Sequence, residues 1–118
     1  MLCNLILMQV KMKKFHLKDA GDRGWFVGDF DRAVVRTKDF EVCWQGNPAG
    51  AKDTPHLHKI ITELQLITRG RMIINGVEFG PGEIYVSEPG EEYRAEYIED
   101  TEVVAIKFPS VPGDKYYI

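Results

Sequence analysis

The stretch that decides the fold runs from Gly50 to Gly70 and reads GAKDTPHLHKIITELQLITRG. Its second half contains Leu64, Leu66 and Ile67, which place apolar side chains on both faces of an extended chain. A strand with two apolar faces is buried on each side, as in a β-sandwich or in a barrel that packs against a second subunit. This stretch therefore predicts a central strand of a β protein.

The chain around this stretch has the residue pattern of an all-β protein, because short β-branched or aromatic runs are separated by the turn-forming residues Gly, Pro, Asn and Asp. The pair Asn75-Gly76 predicts a tight hairpin between residues 71–74 and 77–79, since both residues tolerate the positive φ of a type I′ turn. The other strands are predicted at residues 25–30, 33–36, 40–45, 56–58, 62–68, 84–86, 93–97 and 103–108.

The length of 118 residues and an apolar fraction of 44% indicate one globular domain and exclude a second core. The net charge is −3, and residues 83–102 hold eight acids against the single base Arg94. This balance argues against nucleic acid as a partner. Residues 1–8 are apolar but too short to span a membrane. They are interpreted either as an edge strand or as extra residues that result from a start codon assigned upstream of the true one at Met12.

The two cysteines, Cys3 and Cys43, lack the spacing of a zinc site or a redox pair, and two thiols cannot make a disulfide framework. We therefore expect a reducing, cytoplasmic location. Cys43 lies in an alternating run and is predicted to be a small buried hydrophobe rather than a nucleophile.

Two of the three histidines, His56 and His58, lie two positions apart, so on a strand both imidazoles project to the same face. Glu63 follows with enough chain for a turn back toward them. Two imidazoles and a carboxylate can converge on a metal ion, although the spacing alone is equally compatible with two histidines that face solvent after Pro55.

Residues 50–70 also read as G-x5-H-x-H-x4-E-x6-G, which resembles the first motif of the cupin superfamily in every defining position. The second cupin motif, G-x5-P-x-G-x2-H-x3-N, is similar to residues 82–97, but only its two glycines align. Glu88 stands in place of the proline, Tyr93 in place of the histidine and Tyr97 in place of the asparagine.

The resemblance covers residues 40–108 and implies an all-β, single-domain double-stranded β-helix, the jelly-roll barrel of cupins, with one site inside and a homodimeric assembly. On this basis residues 1–24 form an N-terminal strand or extension, residues 25–108 the barrel, and residues 109–118 a C-terminal strap that packs on the barrel or on a partner subunit.

The resemblance further implies that His56, His58 and Glu63 hold one divalent metal ion. Iron, manganese, zinc and nickel all accept such a ligand set, so the ligands do not select the metal. The fourth ligand position falls to Tyr93, whose neutral phenol coordinates poorly. Glu92 is an alternative oxygen ligand, unless it belongs to an acidic surface turn.

Counting by twos from Glu63 places Gln65 and Arg69 on the lumen face as substrate-binding groups, although Arg69 could instead point to water at the strand end. An amide and a guanidinium suit a small polar ligand such as a sugar or keto acid. The first functional hypothesis is a metal-dependent isomerase or lyase in which Tyr93 or Glu92 moves a proton, and an iron dioxygenase is a variant of it. The alternative is a non-enzymatic cupin that binds or senses a small ligand.

Overall fold

The computed structural model describes residues 12–118 and confirms an all-β domain. The interpretations of residues 1–8 fall outside the described residues. The strands are β1 (Trp25–Val27), β2 (Glu41–Asn47), β3 (His56–Leu57), β4 (Thr62–Arg69), β5 (Met72–Ile74), β6 (Val77–Phe79), β7 (Ile84–Ser87), β8 (Glu92–Tyr93), β9 (Ala95–Tyr97), β10 (Thr101–Phe108) and β11 (Tyr116–Tyr117). One 3-10 turn lies at Leu17–Asp19. From Met12 onwards, the chain contains no helix long and apolar enough to cross a membrane.

Three antiparallel sheets build the double-stranded β-helix. The largest has the order β1-β2-β10-β4-β7, and two three-stranded sheets have the orders β11-β3-β8 and β6-β5-β9. The apolar core lies between them, because side chains from β4, β7 and β10 pack against those from β5, β8 and β9. Its buried members are Ile67, Met72, Ile74, Tyr85, Tyr93, Ala95, Tyr97 and Val103.

The large sheet separates a lumen face from an outer face by simple alternation. On the lumen face, Cys43, Ala105, Gln65 and Tyr85 stand opposite one another on successive strands. The outer face carries two rows of apolar residues. They are Val42, Ile106, Leu64 and Val86 in one row and Trp44, Val104, Leu66 and Ile84 in the other. β4 contributes Leu64 and Leu66 to the outer face and Ile67 to the apolar core, while Glu63 and Gln65 make the rest of its lumen face polar.

Two of the predicted strands differ from the observed ones, and the strap contains a strand that was not predicted. Residues 33–36 make one isolated bridge, Val27 to Val35, and form no strand. The run 93–97 is divided, because Tyr93 pairs with His56 in one sheet whereas residues 95–97 pair with β5 in another. The strap was predicted as extended chain, and its residues 116–117 form β11 against β3.

The predicted hairpin at residues 71–79 is confirmed. Ile74 and Val77 are paired, and the two residues between them, Asn75 and Gly76, have φ values of 50° and 81°. Asn75 also ties the turn to the next strands, since its side chain bonds the carbonyl of Glu92 and the amide of Arg94.

We predict that Gly76→Ala lowers the free energy of unfolding by about 1–2 kcal/mol, because a Cβ is disfavoured at positive φ. Open space surrounds the position, so the cost is conformational rather than steric. Gly76→Asn is the matched control and should cost less, since asparagine tolerates this region. Urea denaturation of both variants measures the difference, and equal losses would contradict the assignment.

Candidate functional site

His56 and His58 both turn inward at the end of β3, and both are buried. Their ring centroids lie 5.4 Å apart. The Nδ1 atom of His56 is 2.8 Å from the carbonyl oxygen of Thr54, and the Nδ1 atom of His58 contacts the carbonyl oxygen of Asp114. A carbonyl oxygen can only accept, so Nδ1 carries the proton in both rings. This leaves the two Nε2 atoms as the positions available for a ligand or a second proton.

Glu63, the first inward residue of β4, lies with its Oε1 atom 3.2 Å from Nε2 of His58. Both side chains are buried. With its proton on Nδ1, a neutral His58 would direct the lone pair of Nε2 at a carboxylate oxygen, which is repulsive. The contact is therefore favourable only when a positive charge lies there, either a second proton on the imidazole or a metal cation.

Burial by itself would raise the pKa of Glu63, but the hydrogen bond from His58 and the nearby charge of Lys107 hold that pKa below its usual range. Lys107 stands next to Glu63 on the neighbouring strand and next to Glu41 on the other side. Its ammonium lies 4.5 Å from the ring centroid of Trp25. The lumen thus contains its own counter-charge to the buried acids.

The strap fixes the turn between the histidines and β4. The carboxylate of Asp114 accepts hydrogen bonds from three successive backbone amides, those of Lys59, Ile60 and Ile61, at 2.9–3.1 Å. Burial raises the pKa of Asp114, and these three bonds more than reverse the effect. Because the backbone carbonyl of Asp114 also accepts from His58, one residue holds both the turn and the imidazole.

A chain of polar contacts continues from Glu63 across the lumen. The amide nitrogen of Gln65 lies 3.1 Å from the hydroxyl of Tyr93 and 3.5 Å from Oε2 of Glu63. The carboxylate of Asp53 lies 3.3 Å from the Tyr93 hydroxyl and accepts from Tyr97 at 2.8 Å. Burial, followed by the charge of Asp53, raises the pKa of both phenols, so both remain protonated at neutral pH.

His56, Glu63, Gln65 and Tyr93 thus lie around one cavity, and His58 is buried in contact with Glu63. Among residues 12–118, however, no group of three or more His, Cys, Asp or Glu side chains is arranged as a formed metal site. The Nε2 atom of His58 is engaged by Oε1 of Glu63.

Two predicted positions are wrong. Arg69 does not reach the lumen, because the ladder between β4 and β10 changes register after Ile67, which ends the strict alternation. Its side chain is exposed and pairs with Glu102 at 3.7 Å. Glu92 neighbours Tyr93 on β8 and therefore faces the opposite way. It is exposed and pairs with Arg94 at 3.5 Å, so the structure offers it no contact with the site.

A cavity of about 1450 Å³ opens from the lumen to the surface. His56, Glu63, Gln65 and Tyr93 line its inner part, and the outer part is lined by residues of the N-terminal region, the strap and β2. His58 is not among the lining residues and lies behind Glu63. Lys107 also lines the cavity and was not anticipated from the sequence.

No family model matches this chain, and neither does any curated protein. Solved structures do match. An uncharacterized conserved protein with a double-stranded β-helix domain from Klebsiella pneumoniae is 17% identical, with a TM-score of 0.63 over 89% of this chain and 91% of that one. An RmlC-like cupin from Shewanella frigidimarina is 14% identical, with a TM-score of 0.58 over 64% and 71% of the two chains. The chain has the cupin fold.

A third neighbour is the DMSP lyase DddQ from Ruegeria pomeroyi, 13% identical, with a TM-score of 0.66. The match covers 88% of this chain and 59% of that one, so the chain spans about three fifths of that enzyme's length. Identities this low establish the fold of this chain and leave its reaction open.

The lumen position of Tyr93 supports the alignment of the second cupin motif. Tyr93 stands directly opposite His56 in the β3–β8 pair, and the two rings are 5.1 Å apart. A side chain at this position reaches the neighbourhood of the histidines.

We predict that Asp114→Ala lowers the free energy of unfolding by at least about 2 kcal/mol, because three amide donors lose their acceptor and one of them is fully buried. Asp100→Ala is the matched control. That carboxylate is exposed and accepts from one amide, that of Ala49, so its loss should cost less than about 1 kcal/mol. Urea unfolding of the two variants tests the difference, and similar losses would refute a special role for Asp114.

Proposed function

We propose that this cupin is a metal-dependent enzyme that converts a small polar substrate by isomerase- or lyase-type chemistry. The observation that carries the proposal is the buried pair of His58 and Glu63. Its two facing acceptor atoms, 3.2 Å apart, require a positive charge. The second inward imidazole, that of His56, lies beside this pair. Its Nδ1 atom contacts the Thr54 carbonyl, which leaves its Nε2 atom available to a metal ion.

The donor set fits one divalent cation, which His56, His58 and Glu63 would hold. Both imidazoles donate their Nδ1 proton to a backbone carbonyl, the contact that orients metal-binding histidines and makes them better ligands. Binding requires Glu63 to give up its contact with Nε2 of His58, because that lone pair is the one the metal takes. Iron, manganese, zinc and nickel are all compatible with two imidazoles and a carboxylate. When bound, such a metal supplies Lewis-acid polarisation of a substrate carbonyl or hydroxyl.

Tyr93 is the group in this lumen best placed to move a proton. Its hydroxyl is protonated at neutral pH, so Tyr93 is assigned the role of general acid toward a substrate oxygen or carbon. The amide of Gln65 donates toward the phenolic oxygen and stabilises it when the proton leaves. Asp53 is part-exposed and contacts both Tyr93 and Tyr97, which connects the phenol to solvent for reprotonation. Glu92, the alternative proton donor, is excluded by its exposed position.

The substrate class follows from the side chains that line the inner cavity. The Gln65 amide suits a hydroxyl or carbonyl, and the Lys107 ammonium suits a carboxylate. These two groups suit a small polar molecule such as a hydroxy acid or keto acid better than an acyl chain. The DMSP lyase with this fold supports lyase chemistry in such a barrel but does not identify the substrate.

A reducing, cytoplasmic location is part of the proposal. Cys43 is a free thiol with no exposed surface, and burial raises its pKa to about 12. Such a thiol is unreactive, in agreement with its predicted role as a small core residue.

We predict that the purified protein contains a transition metal at a near-stoichiometric level, and that His56→Ala and His58→Ala each abolish its binding without unfolding the barrel. A domain of this size does not depend on a metal for its core. Elemental analysis and circular dichroism measure the two properties.

His16→Ala is the matched control, because His16 is the third histidine and lies exposed at the 3-10 turn. It should leave the metal content unchanged. If no transition metal co-purifies and none binds on titration, the metal-dependent enzyme is wrong, and a non-enzymatic cupin that binds a small ligand becomes the better interpretation.

We predict that Tyr93→Phe retains metal affinity, since a neutral phenol contributes little to coordination, while turnover falls about 100-fold or more through loss of the acid. Activity is screened on a panel of small hydroxy acids, keto acids and monosaccharides. Tyr116→Phe controls for loss of a phenol outside the lumen and should have no effect. Full activity of Tyr93→Phe would remove Tyr93 from the mechanism.

We predict that Tyr93→His tightens metal binding, because imidazole is a good ligand at neutral pH and phenol is not. Calorimetric titration of the metal-free variant against the metal-free wild type provides the measurement. Unchanged affinity would mean that residue 93 is too far from His56 and His58 to complete the ligand set.

A further inference from the structure

Residues 12–18 read MKKFHLK and lie on the surface of the protein before the first strand. They are called the basic segment below. Lys13, Lys14 and Lys18 are exposed, and Met12 and Phe15 are 89% and 57% exposed. We propose that the basic segment binds the surface of a membrane that is rich in anionic lipid. The proposal stands apart from the metal site and from the proposed reaction, which use none of these residues.

The charge of the basic segment is of one sign. The sequence has 18 acids, and the first of them is Asp19, so its first four lysines precede every acid. Among residues 12–118, the lysines of the basic segment form no ion pair with a carboxylate. Their charge is therefore available to an anionic partner. Each lysine near a negatively charged bilayer strengthens binding by roughly fivefold.

The apolar side chains of the basic segment select a membrane from among the anionic partners. A run of lysines by itself is equally typical of a segment that binds nucleic acid. Here Met12 and Phe15 are exposed between the lysines. In the sequence, residues 1–10 carry no charge and, apart from Asn4 and Gln9, are apolar. A phosphate backbone gains little from such side chains, whereas the interface of a bilayer takes them up next to lysine.

The basic segment is joined to the barrel beside the cavity. It ends in the 3-10 turn at Leu17–Asp19, which is closed by its own backbone hydrogen bonds and followed by the buried Ala20. His16, Leu17 and Lys18 also line the outer part of the cavity. A bilayer bound by the basic segment would therefore lie next to the cavity mouth.

The acidic run at residues 83–102 contributes no acid to the cavity wall. From this run, only Tyr93 and Tyr97 line the cavity, and both side chains are buried. An anionic bilayer repels the eight acids of the run and attracts the basic segment. This uneven distribution lets a chain with a net charge of −3 approach an anionic surface in one orientation.

The test is co-sedimentation of the full chain with vesicles of phosphatidylcholine alone and of phosphatidylcholine with about one third phosphatidylserine. The double variant Lys13→Gln with Lys14→Gln removes two charges from the basic segment. Arg69→Gln with Arg94→Gln is the matched control, because it removes the same charge from exposed side chains outside the segment.

A second pair of variants tests the apolar contact. Phe15→Ser removes the exposed ring, and Val77→Ser is its control, because Val77 is 58% exposed on β6. All these positions are exposed, so the fold should survive, as circular dichroism will show. Neither vesicle measurement depends on a bound metal or on turnover, so its outcome is independent of the proposed reaction.

We expect the wild type and both controls to bind the anionic vesicles at least about 10-fold more tightly than the neutral ones, with the difference shrinking as salt is added. The double lysine variant should lose about 10-fold or more in affinity for the anionic vesicles. Phe15→Ser should lose about threefold or more.

Equal binding of the wild type to both kinds of vesicle would refute the proposal. Wild-type affinity in the double lysine variant or in Phe15→Ser would refute it as well. A duplex oligonucleotide is tested at the same salt concentration. If the chain binds it and does not bind the anionic vesicles, the membrane is wrong and nucleic acid is the partner of the basic segment.

Discussion

A carboxylate buried as deeply as that of Glu63 is stable only next to positive charge, and the arrangement of the lumen follows from this requirement. His58 provides the nearest partner and Lys107 a second positive charge from the adjacent strand. His58 in turn is oriented by a backbone carbonyl of the strap. The buried charge of Glu63 on β4 therefore requires three things: the imidazole of His58, the ammonium of Lys107 on β10, and the strap carbonyl that orients His58.

The same requirement explains why the lumen is suited to chemistry. A buried acid whose ionised form depends on its neighbours responds strongly when a cation or a substrate enters. Tyr93 and Tyr97 show the opposite effect, because burial beside Asp53 keeps their phenols neutral. An ionised acid and protonated phenols thus coexist within one hydrogen-bonded chain.

Strand alternation in the sequence predicted that Gln65 shares a face with Glu63, because the side-chain period of two is a property of any extended chain, and both residues line the cavity. It failed at Arg69, where the ladder changes register, since a register shift depends on the partner strand rather than on local residues. It also left Glu92 undecided, because the residue is adjacent to a turn and its direction depends on the pairing of Tyr93 with His56.

Asp53 and Asp114 could not be found in this way. Asp114 binds amides 53–55 residues earlier in the chain, and Asp53 meets tyrosines 40 and 44 residues later. Neither aspartate belongs to a periodic run or to a recognisable motif. Contacts at such separations are created by the closure of the barrel, and one sequence contains no local signal of them.

The strap also affects the order in which the molecule assembles. Ser110 bonds the amide of Asp29 across 81 residues and the carboxylate of Glu41 across 69, and Asp114 closes the turn at residues 59–61. Long loops of this kind form slowly, because the entropy of closure is lost before the contacts are gained. The hairpin at residues 71–79 can form early, because its contacts are local. The turn at residues 59–61 can form only after the strap has docked. Amide exchange during refolding would therefore show residues 59–61 becoming protected among the last in the domain.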